Sequence, residues 1–311
     1  MRTSLGLAFA LSLSVGCSAT GNRTGFVGND NTSGADMTAG FAPVDFAMAG
    51  SPEDMAMDNS GTDDAFIDPC LERAKLIYTV DDKNALYSFK PDTLTFTRIG
   101  VLNCPAGFLD TPFSMGVDRN ANAYVLYSSG DLFQVDTQTA NCKATNFVGG
   151  QLGFDQFGMG FVADNPGAHT EQLYIAGLSN QQLGVIDPKS LKVANVGALN
   201  GNPELTGTGS AQLWGFFPDD IAPRVAQIDK VTAQEGKTYP LNGLAGTPSA
   251  WAFAFWGGDF WIFLQTDQDL STHVYHLNAQ TGKVTDVVPA SGYRIVGAGV
   301  SICAPTTSLP H

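Results

Sequence analysis

Apolar and polar residues alternate with a period of two along most of the chain beyond residue 75, in short runs separated by Gly, Asp, Asn, Pro and Thr clusters. A period of two places successive side chains on opposite faces of a strand, and the polar clusters mark turns. Five of these runs align: LYSFKPDT (86–93), LFQVDTQT (132–139), LGVIDPKS (183–190), VAQIDKVT (225–232) and VYHLNAQT (274–281). Each is a strand ending in an Asp- or Asn-containing turn, followed by a second short strand such as TFTRIG, KVANVG or KVTDVV. Their last apolar residues, Phe89, Val135, Ile186, Ile228 and Leu277, are separated by 46, 51, 42 and 49 residues.

Two further strands precede most of these units: PFSMGVD and AYVLYS, QFGMGFVA and QLYIAG, ELTGTGS and AQLWGFF, SAWAFAFW and DFWIFLQ. Four antiparallel strands every forty to fifty residues is the pattern of a β-propeller blade. The first repeat starts at KLIYTVDD, which is already a second strand. Its missing inner strand matches RIVGAGVSICAP (294–305), with small residues among apolar ones as in FSMGV and FGMGF. The pattern predicts an all-β propeller of five four-stranded blades, closed by the C-terminal strand completing blade one.

The aromatic run WAFAFWGGDFWIFLQ (251–265) is divided by Gly257-Gly258-Asp259, so it cannot supply the ~18 apolar residues of a spanning helix. It reads as the inner hairpin of blade five. Trp251, Phe253 and Phe255 share one face, against Ala252 and Ala254 on the other. Only Trp251, nearest the channel mouth, is a candidate ligand contact.

The ends of the chain differ from this body. Residues 1–17 have Arg2, a short apolar stretch from Leu5 to Leu13, and Ser14-Val15-Gly16-Cys17, a lipobox-like sequence with Ser where Leu is usual. Export and lipidation at Cys17 are expected, with membrane attachment in the periplasm or at the outer surface of a bacterium. Residues 18–69 hold nine acidic residues against one Arg in a low-complexity sequence, the composition of a disordered acidic tether. Residues 70–311 then form the propeller domain. Cys70, Cys104, Cys142 and Cys303 suggest two disulfides in an exported chain, Cys70–Cys303 locking the ring and Cys104–Cys142 joining neighbouring blade edges; four free thiols are the alternative.

The formal net charge of −14, with no basic patch, argues against a nucleic-acid partner. The four histidines are His169, His273, His276 and His311. His273 and His276 are three apart on a strand and face opposite ways. No CxxC, HExxH, GxSxG or phosphate-binding glycine loop occurs. Asp118-Arg119-Asn120-Ala121-Asn122 starts like a calcium loop but lacks the following Gly and has Ser129 at position twelve, so it reads as a hairpin turn.

Residues entering the inner strands converge on one channel mouth: Asp110 and Thr111, Asp155, Glu204, Thr247 or Ser249, and Arg294. Three carboxylates and a guanidinium there suit a polar ligand, with calcium as the cation to consider; strand capping and pairing with Arg294 are the plainer roles.

The run ELTGTGSAQLWGFFP…AQIDKVTAQ…SAWAFAFWGGDFWIF…RIVGAGVSICAP resembles a family of bacterial surface lipoproteins with a lipobox-type signal, an acidic tether and a propeller-like body, over residues 105–305. That family has no established activity, so the resemblance implies fold and location only. VDRNANAYVLYSSGDLFQVD is similar to blades of NHL-type propellers, which mostly bind other molecules. The expected function is a binding or scaffolding module for a small molecule, glycan or protein. The alternatives are a lactonase- or glycosidase-like hydrolase using Asp155 and Glu204, with or without a divalent cation, and a carbohydrate-binding module using exposed Trp residues.

Overall fold

The computed structural model describes residues 70–218, 223–244 and 246–307. The expected export segment with Cys17, the acidic segment 18–69 and His311 lie outside the described residues. The described residues contain five four-stranded antiparallel sheets. Blade one comprises β1 (Ile77–Asp81), β2 (Ala85–Lys90) and β3 (Thr95–Val101), with β20 (Ile295–Gly299) as its inner strand. Blade two runs from β4 (Pro112–Val117) through β5 (Asn122–Tyr127) and β6 (Leu132–Asp136) to β7 (Cys142–Ala144). Blade three is β8 (Phe157–Ala163), β9 (Glu171–Gly177), β10 (Gln182–Ile186) and β11 (Val193–Ala198). Blade four is β12 (Glu204–Gly207), β13 (Leu213–Phe217), β14 (Arg224–Ile228) and β15 (Glu235–Pro240). Blade five is β16 (Pro248–Trp256), β17 (Asp259–Thr266), β18 (His273–Leu277) and β19 (Val284–Val288). The protein is a five-bladed β-propeller.

Closure occurs as the repeat predicts: β20 pairs antiparallel with β1, placing Tyr78 opposite Gly299, Thr79 opposite Ala298 and Val80 opposite Gly297. The Cys70–Cys303 disulfide, with Cα atoms 5.8 Å apart, joins the start of the domain to the end of that strand's continuation. Cys104–Cys142, 4.7 Å apart, joins the linker after blade one to the outer strand of blade two. Two disulfides are those of a chain that folds under oxidising conditions.

The core is not one mass but five slabs, one between each pair of neighbouring blades. The aromatic hairpin shows how the sequence builds them. Phe253, Phe255, Phe260, Ile262 and Leu264 face blade four. Ala252, Ala254, Trp261 and Phe263 face blade one. Large residues on one side of β16 and alanines on the other fit a sheet wedged into a tapering ring.

The repeated turn also has a physical cause. Asp136, Asp187 and Asp229 each use Oδ1 to accept two backbone N–H bonds from the residues two and three positions on. Asn278 Oδ1 accepts the corresponding bond from Thr281 N. The fifth residue of each turn takes a left-handed conformation, at Ala140, Leu191, Ala233 and Gly282. The side chain thus substitutes for the missing ladder partners while the chain reverses.

Candidate functional site

All five inner strands run in the same direction, so the residues that open them lie around one mouth. A cavity of about 240 Å³ opens there, formed by four of the inner strands and three flanking residues, Asp82, Thr111 and Arg294. Its apolar wall is Phe113 and Pro112 of β4, Ala250 and Trp251 of β16, and Val296 of β20. Its polar wall is Asp82, Thr111, Ser249, Arg294 and Glu204.

Glu204, the first residue of β12, is 3 % exposed and lines this cavity. Its Oε1 accepts a 2.6 Å bond from Ser114 Oγ on β4 and a 3.3 Å bond from Met159 N on β8. Blades two and four are not neighbours in a ring of five, so this carboxyl reaches across the channel and links three blades. Gly158 makes the room: a Cβ there would stand 2.9 Å from Glu204 Oε2 and 2.6 Å from Pro203 O. Burial pushes the Glu204 carboxyl up to about 8, against the opposing pull of the Ser114 and Met159 bonds. Desolvation penalises the charged form more than two donors on one oxygen can recover.

Arg294 is held over the cavity by Ser249. Its Nη1 donates to Ser249 Oγ at 3.2 Å and its Nη2 to Ser249 O at 2.5 Å. Asp82 Oδ2 lies 3.9 Å from Arg294 Nε, an ion pair open to solvent. Trp251 is half-buried, and its Nε1 makes no hydrogen bond to the described residues. The other three indoles do: Trp214 to Gln212 Oε1, Trp256 to Lys75 O and Trp261 to Trp256 O.

The opposite end of the channel is crossed by the chain beyond β20. From blade one this segment reaches blade four, where a side chain at Gly209 would collide with Ile302 O. It then meets blade five, where Gly257 N donates to Pro305 O at 2.8 Å. Ser301 Oγ donates to Ala74 O, and Ser301, Ile302 and Ala304 are buried. The mouth cavity is therefore blind.

The structure brings together Thr111, Glu204, Arg294, Ser249 and Trp251 from the set expected at the mouth. It leaves Asp110 and Asp155 off the cavity wall. Asp110 turns back to accept a 2.9 Å bond from Gly107 N within its own loop. Asp155 is exposed, with its carboxylate beside Gly150. Thr247 N is bonded to Asp267 Oδ1. Of the three expected carboxylates, only Glu204 lines the cavity, and Asp155 does not share its wall. Asp82 takes a place the inner-strand alignment could not assign, because it lies in the turn between the second and third strands of blade one.

The remaining candidates are structural. Asp118 spends Oδ1 on the amides of Asn120 and Asn122 and Oδ2 on Asn122 Nδ2, as a hairpin turn requires. His273 bonds Asp286 and Asp269, while His276 bonds Asp259, so the two rings serve separate partners. One buried acid went unnoticed in the sequence. Glu171 opens β9 and receives Arg119 N on Oε1 at 2.8 Å, with Oε2 buried and unbonded. Burial, reinforced by Asp118 and Asp164, pushes it up to about 7.

No protein-family model and no curated protein matches this chain. Among solved structures, a nidogen/laminin complex is similar at 17% identity and a TM-score of 0.44, over 74% of this chain and 81% of that one. Kuenenia stuttgartiensis hydrazine synthase is similar at 14% identity and a TM-score of 0.40, over 68% of this chain and 65% of that one.

Proposed function

We propose that the protein is an exported binding module, held to a membrane through Cys17 and the segment 18–69, that takes a small polar ligand in the blind cavity at the channel mouth. The observation that carries this reading is Glu204 Oε2. It belongs to a side chain almost wholly buried on the cavity wall, yet no described residue bonds this oxygen: both protein donors, Ser114 Oγ and Met159 N, go to Oε1. A carboxyl oxygen that lines a cavity and that no protein group bonds is left for a ligand or water to satisfy. Arg294, anchored by Ser249, and the indole of Trp251 complete a small concave site with one apolar and one polar wall.

A thermal-shift screen of a polar small-molecule library against wild type, Trp251→Ala and Arg294→Ala tests it. A ligand at a hundred times its Kd should add about 2.7 kcal/mol, raising Tm by roughly 5–10 °C. The gain should vanish in both variants. A library without any stabilising compound, or one whose effect survives both substitutions, contradicts the reading. Turnover of the bound compound, lost in Glu204→Gln, would favour the hydrolase with Glu204 as general acid. The anchor is tested by detergent phase partitioning, in which Cys17→Ser should move the protein to the aqueous phase; unchanged partitioning contradicts it.

A further inference from the structure

We propose that the mouth cavity holds the terminal pyranose unit of a saccharide, one ring face on the Trp251 indole and its hydroxyl edge on Glu204, Arg294 and Asp82. This rests on the cavity being a ligand site and names what that site recognises.

Three features of the cavity support it. The first is its mixture of donors and acceptors. Glu204 Oε1 already accepts two bonds, so the proton of the neutral acid belongs on Oε2, where it can be donated to a ligand oxygen. Arg294 has five N–H groups and gives two of them to Ser249, leaving donors beside the Asp82 carboxylate. Vicinal hydroxyls donate and accept at once, and a guanidinium next to a carboxylate matches such a pair. An anionic ligand would instead meet Asp82, and a cationic one Arg294.

The second feature is Trp251, the one indole whose N–H the described protein does not bond, set in an apolar wall with Phe113 and Val296. Pyranoses have an apolar C–H face and a polar rim, which is what an indole beside hydrogen-bonding groups can read. The third is shape. About 240 Å³ is smaller than the ~300–1,000 Å³ of drug-sized pockets and suits one ring. Because the cavity is blind, it accepts the end of a chain and not its interior.

The test is calorimetric titration of wild type, Trp251→Ala and Glu204→Gln at pH 6.5 and pH 9. The probes are the methyl pyranosides of glucose, galactose and mannose, with benzoate and choline as charged probes of similar size. At least one pyranoside should bind wild type, and Trp251→Ala should weaken it about tenfold or more. Wild-type affinity should fall about tenfold between the two pH values as Glu204 loses its proton. Glu204→Gln keeps an N–H donor toward the cavity and cannot titrate, so its affinity should not fall. Asp82 and Arg294, the other charged groups on the cavity, are common to both proteins, so the comparison isolates Glu204. Binding of benzoate or choline through Trp251, without any pyranoside, keeps the ligand site and overturns the saccharide. Pyranoside binding indifferent to Trp251→Ala overturns the placement, and binding of no probe overturns the proposal outright.

Discussion

Replacing Glu204 with Gln should alter how the fold's stability depends on pH. In the folded protein burial pushes the Glu204 carboxyl from its ordinary 4.5 up to about 8. Between those values the native state holds a proton that the unfolded chain has released. Stability therefore falls as pH rises, because the unfolded state binds fewer protons. The contribution is fully present below pH 4.5 and is lost by the time pH passes 8. At about 1.4 kcal/mol per pH unit, roughly 3 kcal/mol is gone at pH 7 and about 5 kcal/mol beyond pH 8. Glu204→Gln is nearly isosteric with the neutral acid, keeps an oxygen for Ser114 and Met159, and does not titrate. Urea unfolding of both proteins from pH 4.5 to 8.5 should give similar stabilities at the acid end and a variant more stable by about 5 kcal/mol at the alkaline end. Glu171, pushed up to about 7, titrates over part of the same range in both proteins and cancels in the difference. A difference curve flat to within about 0.5 kcal/mol would refute the neutral buried acid.

Two other predictions concern the ring. Reducing the Cys70–Cys303 bond by Cys70→Ala/Cys303→Ala opens a loop spanning 233 residues, worth about 5 kcal/mol by the chain-entropy estimate, and scanning calorimetry should show Tm falling by roughly 10–20 °C. A fall within about 3 °C would mean that β20 pairing alone closes the ring. Phe263→Ala removes a fully buried ring packed edge-on against Phe89 at 5.4 Å between blades five and one. It should cost about 3–5 kcal/mol in urea unfolding, and a loss under about 1 kcal/mol would contradict the inter-blade slab as the source of stability.

Blade number, ring closure and cysteine pairing were legible because each follows from a repeating local pattern. A two-residue period with an Asp or Asn turn defines a hairpin, and one unmatched strand at each end of the domain can pair only with the other. The alternation in WAFAF likewise separates Trp251, Phe253 and Phe255 from Ala252 and Ala254, since a strand has only two sides; which face meets blade four and which blade one is visible only in the ring. The site was legible in part. Glu204, Arg294 and Trp251 lie at strand beginnings, where register fixes their height in the ring. Asp110 and Asp155 lie in loops, where a bond to Gly107 N or a turn beside Gly150 directs the side chain away. Asp82 was missed because it enters the mouth from a turn in the second layer of strands. The link from Glu204 to Ser114 was not legible either, since it joins two blades 90 residues apart through the width of the channel.

The central claim, that the mouth cavity is the ligand site, is tested most directly by the indole N–H signals of the four tryptophans in a ¹H–¹⁵N correlation spectrum. Trp214, Trp256 and Trp261 have their N–H groups bonded within the protein, whereas the indole of Trp251, which lines the cavity, bonds none of the described residues. Saturating the protein with a ligand found by the thermal-shift screen should move the Trp251 signal and leave the other three in place. A ligand that stabilises the protein while the Trp251 signal stays fixed, or that moves Trp256 instead, would contradict the assignment of the site.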